Sequence, residues 1–221
     1  LSEDMERPLE RSRSRLSTAI TLINDILKLS QVKLANRIEA SDINLTEMLE
    51  DIYDEMRILF MAKKIRFSTW TNADHDLHIE AEPRLLKLAL GNLISNAHKY
   101  TENDGLVEVH MKERDDIVTI EIADNGIGIP EGELDRIFDD FYRTSVSKKK
   151  TTEGTGLGLS IVQQIIHQFH GTIRVESPSR LGDGYERHGT AFFLTLPRTY
   201  TDSSLGADEE SEPAEEQKQN P

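Results

Sequence analysis

Cysteine is absent from the 221 residues. No disulfide framework can therefore hold the chain together, and a reducing compartment is permitted. No run of about 18 apolar residues occurs, the length a helix needs to cross a bilayer. No charged-then-apolar leader opens the chain, which begins at Leu1; this start suggests a fragment of a longer protein. A basic surplus is lacking as well. The formal net charge is −14, and residues 201–221 hold seven acids and one lysine, a contribution of −6. Subtracting that tail leaves −8 for the rest, whereas a general nucleic-acid binder needs basic surface. After Pro197 the chain is rich in Ser, Glu and Pro; such a segment cannot bury a core and should be disordered.

What is present is periodic. From about Glu3 to Lys33, the residues Leu9, Leu16, Ile20, Ile23, Leu27 and Leu34 form a heptad-like seam on one long helix. Such a seam lies either on its own globular domain or against a partner helix in a bundle. Residues 40–45 read as a linker. Asn44 or Thr46 is placed to cap a second helix, about Thr46 to Lys63, which would bury Met48, Leu49, Ile52, Met56, Leu59 and Phe60. Strands are expected at Ile65–Thr71 and Leu77–Ala81. His75 and His78 lack further clustered ligands and read as surface residues rather than a zinc pair. A third helix, over Pro83–Thr101, is apolar around most of its circumference and therefore well buried. On it, Asn92 and Asn96 share one side, with Lys99 close by. Amides in so apolar a helix are costly without partners. Either they bond internally or they form a polar stripe facing a ligand. A hairpin follows, Gly105–Arg114 and Ile117–Ala123, turning at Asp115-Asp116. The last strands are Gly171–Glu176 and Gly189–Leu196, joined by the glycine-containing loop Ser179–His188.

Two glycine clusters carry the chemistry. Asp124-Asn125-Gly126-Ile127-Gly128-Ile129-Pro130 follows the alternating Val118–Ile122, so Asp124 sits at a strand end. Gly154-Thr155-Gly156-Leu157-Gly158-Leu159-Ser160 leads into a helix over Leu159–Phe169. A glycine-rich turn opening a helix exposes N–H groups, the dipole favours an anion there, and glycine lets the backbone approach closely. The polar segment between the clusters reads as a lid. Phe138 and Phe141 would pin its base, while Arg143 and Lys148-Lys149-Lys150 are candidate phosphate or partner contacts. The pattern points to a polyphosphate ligand under a mobile lid.

In this order the segments resemble the nucleotide-binding boxes of the histidine kinase, gyrase, Hsp90 and MutL superfamily, and within it the sensor histidine kinases. The stretch from Asn92 to Tyr100, NLISNAHKY, resembles the asparagine box. DNGIGIP resembles the first glycine box, FDDFYR the phenylalanine box, GTGLGLSIV the second glycine box, and GTAFF from Gly189 the final strand element. Leu22–Val32 resembles the second helix of the dimerisation domain. The resemblance covers about residues 3–197.

The resemblance implies an α/β (α+β) two-layer sandwich of Bergerat type: a mixed, mostly antiparallel sheet with three main helices on one face, preceded by a long helix. It divides the chain into a partial dimerisation helix (1–40), a catalytic ATP-binding domain (41–197, with a lid over about 130–154) and an acidic tail (198–221). It implies ATP and Mg²⁺ as cofactors. Asp124 would accept from the adenine amine with Thr190 near it, and Gly126, Gly128 and Ile129 would pass close to base and sugar. Tyr100 would close one side. Asn96 would give an amide oxygen to Mg²⁺, with Asn92 beside it, and Lys99 and Arg143 would meet phosphate. Gly154, Thr155, Gly156, Leu157 and Gly158 would supply amide donors and hinge freedom. Asn92, Asn96 and Lys99 form the implied catalytic set.

ATPase relatives typically carry a glutamate where Asn92 stands. An amide cannot act as a base near neutral pH, so Asn92 favours phosphoryl transfer to a side chain over hydrolysis. All seven histidines, from His75 to His188, lie downstream of the N-terminal helix, so the acceptor histidine is expected upstream, outside this chain. The implied activity is transfer of the ATP γ-phosphoryl to that histidine and on to an aspartate of a cognate response regulator. The intact protein would be a cytoplasmic homodimer, or one with its cytoplasmic part anchored to a membrane. Two alternatives stay open: a nucleotide-sensing module without transfer, and a related ATPase or serine kinase.

Overall fold

Period-two alternation builds the sheet. The computed structural model describes residues 3–34, 39–151, 154–182 and 188–200. Its elements run α1 (Glu3–Leu34), β1 (Ser41–Asn44), α2 (Leu45–Ala62), β2 (Arg66–Thr71), β3 (His78–Ala81), α3 (Pro83–Tyr100), β4 (Leu106–Arg114), β5 (Ile117–Asp124), α4 (Ser145–Lys150), α5 (Gly158–Gln168), β6 (Thr172–Glu176) and β7 (Ala191–Pro197). Five strands form one sheet in the order β2-β4-β5-β7-β6. β2 and β4 are parallel and the other pairings antiparallel. The parallel pair needs a crossover, and the chain makes it through β3 and α3.

On one face Val107, Val109 and Met111 of β4, Val118, Ile120 and Ile122 of β5, and Phe192, Leu194 and Leu196 of β7 are buried. The register sets Val109 opposite Ile122 and Ile122 opposite Phe192. The intervening positions point the other way. There Arg180 bridges Glu108 and Glu121 at 2.8 Å each. The helices α2, α3 and α5 cover the apolar face, giving the expected two-layer sandwich. α3 lies innermost: Leu86, Ala89, Leu90, Leu93 and Ile94 are wholly buried. Glu82 caps its first turn, accepting from the Arg84 and Leu85 N–H groups, with Pro83 at a position that needs no donor. Of the two candidate caps for α2, Asn44 serves, accepting from the Thr46 and Glu47 N–H groups at 3.0 and 3.3 Å.

Three expectations need correction. Residues 40–45 are no linker: β1 pairs antiparallel with β3 in a separate two-stranded ribbon. Four residues with only Ile43 turned inward alternate too briefly to announce a strand. Leu59 is 52% exposed rather than buried, because the inward stripe of α2 is Leu45, Leu49, Ile52 and Phe60. α1 carries two stripes rather than one. Leu16, Ile20, Ile23 and Leu27 of the seam are exposed, while Leu22, Leu29 and Val32 meet the body. There the Val32 carbonyl accepts from Gln168 Nε2 at 2.5 Å.

His78 pairs with Asp42 at 2.7 Å and His75 lies 3.7 Å from Glu113. The side chains of Leu9 and Leu34, the loop residues 183–187 and the acidic residues 201–221 lie outside the described residues. Among those described, no helix is long and apolar enough to cross a membrane.

Leu90 tests the packing of α3. Leu90→Ala should lower the unfolding free energy by about 2–5 kcal/mol, seen as a lower urea midpoint at unchanged slope. Ile58→Ala, at an exposed site, should stay within about 0.5 kcal/mol.

Candidate functional site

The apolar stripe of β5 ends in a carboxylate. Val118, Ile120, Ile122 and Asp124 share one face by the period of two, and Asp124 is only 4% exposed. Its Oδ1 accepts from the Gly126 N–H at 2.8 Å and the Thr190 N–H at 3.2 Å. Its backbone N–H donates to the Thr190 carbonyl at 2.8 Å, and its own carbonyl accepts from the Ser179 hydroxyl at 2.5 Å. Burial pushes the carboxyl from 3.8 up to about 7, against the two N–H bonds that favour the anion.

Asp124 forms part of the wall of a cleft of about 270 Å³, near the lower end of small-molecule sites, roughly 300–1,000 Å³. α3 contributes Asn92, Asn96, Lys99 and Tyr100 to the lining. Their spacing of four and three keeps the two amides and the lysine on one side of the helix. Lys99 Nζ lies 5.5 Å from the Tyr100 ring centroid and beside Gly154, where an added Cβ would come within 3.0 Å of it. Burial raises the Tyr100 phenol, opposed by the Arg143 charge and a hydrogen bond with Ser147. Gly154, Thr155, Gly156 and Gly158, leading into α5, line it too, with Arg143 beside Gly154. The lining of the cleft thus combines a buried acceptor with two cations and a helix N-terminus.

Thirteen of the fifteen residues singled out in the sequence line the cleft; Gly126 and Leu157 do not. A Cβ at Gly126 would fall 2.5 Å from the Tyr100 carbonyl oxygen. Glycine there permits a close approach to the end of α3. Leu157 is wholly buried in the apolar core. Gly156 has φ +79, and a Cβ there would meet the Phe141 carbonyl carbon at 2.5 Å. The second glycine turn and the lid base are therefore in backbone contact.

The lid segment is more ordered than its polar composition suggests. A 3-10 turn spans Glu131–Arg136, and Thr144 caps α4 by accepting from the Ser147 N–H at 3.1 Å. Ile137 is buried and Phe138 packs on the core, but Phe141 is 59% exposed. Phe141 therefore does not pin the lid base; its backbone, at φ +64, turns the ring outward. Arg143 Nη2 donates to the Thr151 carbonyl at 2.6 Å. None of Lys148, Lys149 and Lys150 lines the cleft. Lys148 lies 5.9 Å from the Tyr142 ring, and Lys150 pairs with Glu102.

Two groups of site residues escaped sequence reasoning. Thr21 and Asp25 of α1 line the cleft, and Asp25 Oδ2 accepts from the Thr155 hydroxyl at 2.6 Å. Their signal was the second stripe of α1, where Asp25 falls between Leu22 and Leu29. Ser177 and Ser179 brace the floor: the Ser177 hydroxyl accepts from the Ile129 N–H at 2.8 Å and donates to the Gly189 carbonyl at 2.8 Å. A Ser-Pro-Ser stretch in a loop carries no signal for such a role.

A family model described as histidine kinase-, DNA gyrase B-, and HSP90-like ATPase matches residues 81–200. The chain is 37% identical over 120 residues to the probable sensor kinase SilS of Salmonella typhimurium, covering 54% of this chain and 22% of the relative. It is 32% identical over 192 residues to the sensor protein kinase WalK of Staphylococcus epidermidis, covering 86% of this chain and 30% of the relative. It therefore spans less than a third of the length of these curated relatives. Among solved structures, the catalytic domain of histidine kinase ThkA aligns with a TM-score of 0.62 at 30% identity, over 73% of this chain and 97% of that one. Histidine kinase ThkA in complex with response regulator protein TrrA aligns with a TM-score of 0.68 at 26% identity, over 90% and 53% of the respective chains.

The buried carboxyl makes stability depend on pH. The folded state holds a proton on Asp124 up to about pH 7, the unfolded state only to about 3.8. The resulting stabilisation is complete below pH 3.8 and is lost as pH rises through 7. It amounts to roughly 4 kcal/mol at most. Asp124→Asn keeps the Oδ1 acceptor and removes the titration. In urea melts of the ligand-free protein from pH 4 to pH 8, the wild type should lose stability relative to this variant.

Proposed function

The chain belongs to the histidine kinase-, DNA gyrase B-, and HSP90-like ATPase family, and on that footing we propose that it is the catalytic part of a sensor histidine kinase. It binds Mg²⁺-ATP in the cleft between α3, α5, the lid and the end of β5, and directs the γ-phosphoryl to a histidine. The observation that carries this reading is the lining of the cleft: one cavity brings together the buried acceptor Asp124, the cations Lys99 and Arg143, and the glycine turn that opens α5.

The residues present suit the ligand. Oδ1 of Asp124 is held by two N–H groups, so the carboxylate is fixed as an acceptor for the exocyclic amine of adenine. Guanine presents a carbonyl there and would meet it unfavourably. Among the described residues no group of three His, Asp or Glu could hold a metal ion. Mg²⁺ does not need one, because it is commonly held by one or two protein oxygens, substrate phosphates and water. Asn96 would give such an oxygen, with Asn92 beside it. Bound Mg²⁺-ATP supplies the phosphoryl group and part of the charge neutralisation.

The chain's own residues do the rest. Asp124 and Thr190 fix the base, with Gly128 and Ile129 alongside. Tyr100 walls one side of the cleft. Lys99 and Arg143 bring positive charge to the phosphate end, and the amides from Gly154 to Gly158 add donors. Positioning and charge stabilisation are the main contributions a protein makes to phosphoryl transfer. Asn92 offers no base to activate water, which directs the chemistry to an acceptor side chain.

The acceptor histidine would lie on a further helix, since none of the seven histidines falls on α1. The exposed seam of Leu16, Ile20, Ile23 and Leu27 suits such a helix and a second copy of the chain, with residues 1–40 as part of the dimerisation region and 41–197 as the catalytic domain. A response regulator would be the next acceptor, as the ThkA–TrrA complex suggests for this chain. One observation favours a second reading. Thr21 and Asp25 reach the cleft from α1, as a nucleotide-sensing module without transfer would also require.

The test mixes this chain, Mg²⁺ and γ-labelled ATP with the histidine-bearing hairpin of the intact protein. Acid-labile, base-stable label should appear on the hairpin. Asn96→Ala and Asp124→Asn should each lose at least about tenfold in rate, or roughly 1.4 kcal/mol of barrier. ATP binding without label would favour the nucleotide-sensing module. Absence of ATP binding would overturn both readings.

A further inference from the structure

Lys63 stands one residue beyond α2 and far from the cleft in sequence. Its ammonium donates to the carbonyl oxygens of His98, Lys99 and Thr101 at 2.7, 3.2 and 3.0 Å. An α-helix leaves its last four carbonyls without intrahelical donors. At the end of α3 every one is engaged. Ala97 accepts from the Thr101 N–H at 3.0 Å, His98 and Lys99 accept from Lys63, and Tyr100 accepts from the Ile127 N–H at 3.2 Å.

α2 ends at the same place. The backbone N–H of Lys63 closes its last turn on the Leu59 and Met61 carbonyls, and the His98 ring lies 3.1 Å from the Leu59 carbonyl through Nε2. The cation sits at the negative end of the α3 dipole, where it meets the carbonyls of His98, Lys99 and Thr101. The Lys63 carbonyl also accepts from the Asp104 N–H at 2.9 Å, tying down the turn into β4. Three converging carbonyls suit the three N–H donors of a compact ammonium, which neither a planar guanidinium nor an amide reproduces.

The segment so held is the one that carries Lys99 and Tyr100. Its last carbonyl supports Ile127, and Gly126 leans on that same carbonyl. Gly126 and Ile127 stand two and three residues after Asp124. We propose that Lys63 is a positioning residue for the nucleotide site: it fixes the last turn of α3 and, through the Tyr100 carbonyl, the Gly126–Ile127 turn, so that Lys99 and Tyr100 keep their place in the cleft that Asp124 also lines. The proposal rests on the nucleotide reading above.

A purely stabilising lysine would leave affinity alone, so the experiment compares Lys63→Met with Leu49→Ala, a buried α2 substitution away from the cleft. Binding of Mg²⁺ with a non-hydrolysable ATP analogue is measured by calorimetry at a temperature where all variants are folded. Amide exchange of Ile127 is followed without nucleotide. Lys63→Met should raise Kd by about tenfold, equivalent to roughly 1.4 kcal/mol, and speed exchange at Ile127. Leu49→Ala should do neither. Should Lys63→Met not fold, Lys63→Arg and Lys63→Gln take its place, each with a smaller rise in Kd. A Kd within twofold of the wild type in the substituted Lys63 proteins, or an equal rise in Leu49→Ala, overturns the positioning role while leaving the nucleotide site intact. Failure of the wild type itself to bind the analogue overturns the nucleotide reading, and this role with it.

Discussion

A strand that alternates must put every second side chain on the same face, and β5 places Asp124 where the pattern of Val118, Ile120 and Ile122 calls for another apolar residue. A carboxylate there is costly. The surrounding structure answers it with fixed backbone groups rather than a countercharge: the N–H groups of Gly126 and Thr190 on Oδ1. Those groups come from two separate stretches of chain, the first glycine turn and the residue before β7. A third, the loop carrying Ser179, holds the backbone carbonyl of the same residue.

α3 answers a related demand with different means. Its apolar circumference lets it lie between α2 and α5 against the sheet, and the side left over carries Asn92, Asn96 and Lys99 toward the cleft. Rigid burial of one side gives precision to the other, because a helix locked by Leu86, Leu90 and Leu93 cannot rotate its amides away. The helix end is secured by a lysine from another element. The cleft walls therefore rest on core packing, and the lid joins them through buried Ile137, through Phe138 on the core and through the pair of Lys150 with Glu102.

Regular periodicity made much of this legible in the sequence. The strands β4, β5 and β7 alternate over six or more residues, and α3 and α5 show helical stripes, so their places and inward faces could be read. Asn44 announced a cap because carboxamides at that position bond the first free N–H groups. The glycine turns were legible because few other residues suit a close backbone approach, although the carbonyl of Tyr100 as a partner at Gly126 was not. Features that depend on a distant partner were not legible. β1 is a strand only because β3 lies beside it. Phe141 looks like a core residue until the backbone turns it out. Leu59 sits one residue from Phe60 and falls on the other side of α2. Ser179 and Lys63 are ordinary polar residues in sequence, and their roles exist only once the carbonyls of Asp124 and of the α3 terminus are brought to them.

Two polar ties between α1 and the body, Asp25 to Thr155 and Val32 to Gln168, lie close together near one end of a helix of 32 residues. At a rise of 1.5 Å per residue, Asp25 is about 10 Å from Val32 along the axis, and Glu3 is about 44 Å away. As rigid-body geometry, α1 is a lever with a short arm at the cleft and a long arm outside it. Pivoting at Val32, a shift of about 1 Å at Asp25 moves the far end by about 4 Å.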